Sequence, residues 1–83
     1  MQSGLPQVSG RALARLLQQL GYEVVRQKGS HLRLKKLTSS GEHSVTVPMH
    51  SVVAKGTLHD ILRAVAQKNA LDIDTLSNRL RRM

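Results

Sequence analysis

Six consecutive residues, Arg26-Gln27-Lys28-Gly29-Ser30-His31, bring together the side chains best suited to chemistry on a phosphate. Gly29 can take the positive φ that a short hairpin demands, and Ser30 can hydrogen-bond its own backbone, so two cations and an imidazole share one tight turn. Histidine is the side chain whose unperturbed pKa lets it give or take a proton near neutrality. Guanidinium and ammonium groups hold the charge of a phosphate and any charge that builds on it. Arg33, Lys35 and Lys36 continue the cationic run with no acid among them. A glycine-serine-histidine turn is common by itself, so its meaning depends on the elements that hold it.

Ser9 predicts the N-cap of a helix in which Leu13, Leu16, Leu17 and Leu20 form one apolar stripe and Gly21 supplies the stop. Its other face carries Arg11, Arg15, Gln18 and Gln19, either solvated or touching phosphate. Over residues 22–36 the period changes to two, with Tyr22 and Val24 on one side. A turn centred on Gly29 sets Val24 against Leu34 on the buried side, Glu23 against Lys35 on the open side, and Gln27 against His31. Residues 38–42 form the next turn, and Val45, Val47 and Met49 then alternate with Ser44, Thr46 and Pro48. A hairpin centred near Ser40 and Gly41 sets Leu34 against Val47, Leu32 against Met49, and His31 against His50. Pro48 suits a strand's edge or end, because it cannot donate to the ladder.

Residues 51–56 read as a loop, and Thr57 with Asp60 as the cap of a second helix carrying Leu58, Ile61, Leu62 and Val65 on one stripe. Asp72 caps a short third helix with Ile73, Leu76 and Leu80 inward and Arg79, Arg81 and Arg82 near its C-terminal end. The fold class is α+β: α-β-β-β-α with a three-stranded antiparallel sheet, helices on one face, the other face open and basic, and an extra short C-terminal helix. Residues 1–8 are expected to be a flexible lead-in and residues 9–83 a single domain.

With 83 residues the chain predicts one small core. Thirteen Lys and Arg against five Asp and Glu leave a formal charge of +8, which points to a polyanionic partner. Tyr22 is the only Phe, Tyr or Trp, so a platform that stacks single-stranded bases is not expected, and contact is expected on backbone, sugar and groove shape. The absence of cysteine excludes a disulfide scaffold and a Cys-ligated zinc site and makes the cytoplasm the expected location. The first eight residues do not read as a signal peptide, and no apolar run approaches the ~20 residues of a membrane span.

Ser9-Gly10-Arg11 opening a leucine helix, Gly21-Tyr22 ending it, Arg26-Gln27-Lys28-Gly29-Ser30-His31, Val45-Thr46-Val47-Pro48-Met49-His50, and Lys55-Gly56-Thr57-Leu58 before Ile61-Leu62 together resemble the HicA, or YcfA-like, toxin family. The resemblance covers residues 9–66. It implies a fold like the double-stranded-RNA-binding domain, an mRNA interferase activity of bacterial type II toxin-antitoxin systems, and a HicB-type antitoxin partner that masks the active site. His31 matches the family's catalytic histidine and Gly29 the glycine two residues before it.

RNA cleavage without metal needs a base for the attacking hydroxyl, an acid for the leaving oxygen, and cations around the phosphate. His31 is the candidate acid or base. Arg26, Lys28, Gly29, Ser30, Arg33 and Lys35 are the candidate RNA-binding residues, and His50 is a possible auxiliary. His43 and His59 have no evident partner and read as solvent-facing. No cofactor is expected, and no metal, since two histidines across a hairpin lack the carboxylate or thiol that would complete a site. Two other classes compete: a non-catalytic RNA-binding module using the same cationic face, and a protein-interaction scaffold whose edge strand or basic face meets an acidic partner.

Overall fold

Side chains that repeat every three to four residues can be buried only if the helix lies flat on something apolar, and here a sheet supplies it. The computed structural model describes residues 5–83. Its elements run α1 (Gly10–Gln19), β1 (Glu23–Lys28), β2 (His31–Thr38), β3 (Gly41–Pro48), α2 (Lys55–Lys68) and α3 (Ile73–Arg81). The strands form one antiparallel sheet in the order β1-β2-β3. Leu32 and Leu34 of β2 and Val45 and Val47 of β3 are buried with Leu13, Leu16 and Leu17 of α1, Leu58, Leu62 and Val65 of α2, and Leu76 and Leu80 of α3. The alternate residues His31, Arg33, Lys35, Ser44 and Thr46 are exposed, so the helices cover one sheet face and leave the other open. This is the expected α+β order with its extra C-terminal helix.

Local chemistry sets the helix ends. The Ser9 hydroxyl accepts from the Ala12 N–H at 3.0 Å, capping α1. At its far end the N–H groups of Gly21 and Tyr22 return to the carbonyls of Gln18 and Leu17, with Gly21 at φ +101°, a conformation glycine adopts without penalty. Asp72 caps α3 through the Thr75 N–H at 2.8 Å. The second helix departs from expectation. It starts at Lys55 with Ala54 as N-cap and no side-chain cap, so Thr57 lies inside the first turn. Its start is set by packing, since Val53 is buried and its N–H donates to the Val8 carbonyl at 2.8 Å. Val8 itself is buried, although it ends the stretch expected as a lead-in.

The sheet register also departs from expectation. The pairs Glu23 with Lys35 and Val24 with Leu34 form as expected, but Val25 is then an extra, unpaired residue. Beyond this bulge Arg26 faces Arg33, Gln27 faces Leu32, and Lys28, not Gln27, faces His31. A side-chain period of two would have put Arg26 and Lys28 on the side of Val24, toward the helices. The bulge reverses the parity and puts both on the open face. Val24 is not buried: it stays 44% exposed on β1, an edge strand along which every residue is exposed. The second hairpin turns at Ser39 and Ser40, one residue earlier than expected, which slips the pairing by two. Leu34 therefore meets Val45, Leu32 meets Val47, and His31 meets Pro48 instead of His50.

Candidate nucleic-acid interface

The turn between β1 and β2 is a two-residue loop, Gly29 and Ser30, closed by the Lys28–His31 pair. Gly29 has φ +59° while Ser30 is not in the positive-φ region, the sign pattern of a type II′ hairpin turn. The Met49 N–H donates to the Ser30 carbonyl at 2.6 Å, tying the turn to the end of β3. Gly10 closes the arrangement from behind: its N–H donates to the His50 carbonyl at 2.9 Å, and a Cβ there would sit 2.2 Å from the Pro48 oxygen.

Arg26, Lys28, His31, Arg33 and Thr46 line one depression of about 410 Å³ on the open sheet face. That volume falls in the range of sites that take a small organic group. Among the described residues Arg26, Lys28 and Arg33 make no ion pair, and His31 makes no side-chain hydrogen bond. Three uncompensated cations thus surround one exposed imidazole, an arrangement able to hold an anion and to move a proton beside it.

Of the residues singled out in the sequence, Arg26, Lys28, His31 and Arg33 come together here. Gly29 and Ser30 shape the turn without lining the depression. Lys35 lies further along β2, where its Nζ is 3.2 Å from Glu42 Oε2, and it borders a different depression with Gly21, Glu23, Lys36, Leu37 and Glu42. The His50 side chain is exposed and stands outside both sets of lining residues. Thr46 is the lining residue that sequence reasoning missed. Its place in the alternation of β3 marks it as open-face, but the expected register set it opposite Lys35, whereas the observed one sets it opposite Arg33.

A second polar cluster lies at the other end of the sheet. The Tyr22 hydroxyl lies 2.6 Å from His43 Nδ1, and Asn69 Nδ2 donates to the Tyr22 oxygen at 3.0 Å and to the Val65 carbonyl at 2.8 Å. Lys36 Nζ donates to Asn69 Oδ1 and stands 5.7 Å from the Tyr22 ring centre. His43 is therefore not solvent-facing, as expected, but packed edge-on against Tyr22. Burial, and then the charge of Lys68, lower its pKa. Burial raises that of Tyr22, against an opposing hydrogen bond from Asn69. His59 is exposed. Among the described residues no three metal-ligating side chains gather, and no helix is long and apolar enough to cross a membrane.

Fold and depression together define a small α+β domain with a cationic, imidazole-bearing open sheet. The family model for the HicA toxin of bacterial toxin-antitoxin systems matches residues 10–66, from the first residue of α1 to near the end of α2. The chain belongs to the HicA toxin family. No curated protein and no solved structure matches it.

Proposed function

We propose that this protein is an mRNA interferase, an endoribonuclease in which His31 carries a proton transfer and Arg26, Lys28 and Arg33 hold the scissile phosphate. The observation that carries this reading is the convergence of those four side chains on one open depression in which no carboxylate neutralises them. Proton transfer by a positioned histidine serves phosphodiester cleavage either by drawing the proton from the attacking ribose hydroxyl or by giving one to the leaving oxygen. The cations stabilise the phosphate's charge as it grows, and their exposure lets a long RNA reach them without the protein opening. Lys35, paired with Glu42, stands apart from the phosphate-holding cations and contacts RNA only beyond the depression, while Gly29 and Ser30 keep the turn that sets His31 beside Lys28. The protein acts in the cytoplasm on mRNA. A HicB-type antitoxin, with acidic groups opposite this face, silences it by occupying the depression.

Purified protein incubated with a defined RNA tests the reading. Wild-type protein yields short products, and His31→Ala lowers the rate by ~10²-fold to 10⁴-fold with the fold intact. Cleavage by His31→Ala at the original rate removes His31 from the mechanism. Intact RNA retarded on a gel by the wild-type protein supports a non-catalytic binder instead. Cleavage that persists in a chelator supports the metal-independent form of the reading.

A further inference from the structure

We propose that Thr46 is a specificity-determining residue whose hydroxyl contacts the ribose of the bound nucleotide, so that this face distinguishes RNA from DNA. The inference rests on the ribonuclease reading above and assigns a role within that site. Thr46 stands directly opposite Arg33 and diagonal to His31, whose own partner is Pro48. Directly opposed side chains on one face start ~5 Å apart and diagonal ones ~7–8 Å, so one nucleotide can touch all three.

The lining of the depression divides by chemistry. Arg26, Lys28 and Arg33 carry donors and no acceptor, which matches phosphate oxygens. Thr46 is the lining residue with a hydroxyl. Among the described residues it makes no side-chain hydrogen bond, whereas the hydroxyls of Ser9 and Thr38 are engaged in a cap and a turn. A threonine hydroxyl both donates and accepts, as does the ribose 2′-hydroxyl that marks RNA.

Position agrees with chemistry. Arg26 and Lys28 lie on β1, His31 and Arg33 on the central β2, and Thr46 on β3, so the cationic flank and the hydroxyl are two strand spacings apart, roughly 10 Å. Along the strands, Glu23 and Glu42 occupy the far end of the sheet and offset Lys35 and Lys36 there, so that end has no excess of cations to hold an anionic chain. A nucleotide laid across the strands therefore puts its phosphate over β1 and β2 and turns its sugar toward β3.

Binding of one oligonucleotide sequence, made as RNA and as DNA, to the non-cleaving His31→Ala protein tests this. Adding Thr46→Val, which keeps the shape and the strand preference, should lower RNA affinity about tenfold, the worth of a lost hydrogen bond, and leave DNA affinity unchanged. Thr46→Ser should keep the preference for RNA. An equal loss on RNA and DNA, or no loss on either, overturns the assignment. Failure of the underlying reading shows elsewhere, as wild-type protein that leaves RNA intact or His31→Ala that still cuts it.

Discussion

Arg26 and Arg33 face each other directly across the β1–β2 pair, on the open side of the sheet. Like charges so placed repel, and among the described residues neither has an acidic partner. An anion bound between them relieves that repulsion. Arg26→Gln should therefore leave thermal stability unchanged or raise it by ~0.2–1 kcal/mol. The same change should lower the slope of log affinity for single-stranded RNA against log salt by about 0.7, one phosphate contact. Thermal melts and binding titrations at several salt concentrations check both. Lower stability with an unchanged slope would assign Arg26 to holding the strand.

Lys35 and Glu42 provide the contrast, a neutralised pair outside the depression. Exposed pairs of this kind contribute little to stability. Glu42→Gln removes an acid from the sheet and frees a cation, so RNA affinity should rise a few-fold at low salt with melting unchanged. A fall in affinity would show that the Lys35–Glu42 pair orders the face for binding.

The parts of the fold set by neighbours in sequence were legible, and those set by distant contacts were not. Ser9, Gly21 and Asp72 end their helices through bonds three to five residues long, which residue type alone foretells. The β2–β3 slip could not be detected from the core pattern, because a shift of two residues leaves every side chain on its original face. Thr38-Ser39-Ser40-Gly41 offers turn centres one residue apart, and the structure uses the earlier one. Val24-Val25 is likewise ambiguous: two adjacent apolar residues break the alternation, and only pairing with β2 shows which one bulges. Arg26 and Lys28 were named for their charge, while the bulge that brings them to the face of His31 had no signal of its own. The Tyr22–His43 contact spans 21 positions and was invisible for the same reason.

Gly10 is required by space. A Cβ there would meet backbone atoms, 2.2 Å from the Pro48 oxygen and 2.7 Å from the Met49 Cα, which no side-chain rotation relieves. Gly10→Ala should cost ~1–3 kcal/mol by denaturant unfolding, as overpacking does. It should also weaken RNA cleavage in the folded fraction, since the chain it displaces is tied to the turn beside His31. Full activity in the surviving folded protein would uncouple α1 from the site.

The Tyr22–His43 contact makes stability depend on pH. With Asn69 donating to the phenol oxygen, the phenol's own hydrogen is left for His43 Nδ1, which must then be unprotonated. Burial, and then the positive charge of Lys68 on α2, further oppose protonation. The folded state therefore holds the His43 pKa below the ordinary value of ~6.5. The unfolded chain binds a proton that the folded chain refuses, so this stabilisation is complete above about pH 6.5 and is lost as pH falls below it. His43→Gln keeps an acceptor for the Tyr22 hydroxyl but does not titrate. Urea midpoints between pH 7.5 and 5 should fall more steeply for the wild-type protein than for His43→Gln. Parallel pH profiles would show that His43 titrates alike in the folded and unfolded states and would overturn this account.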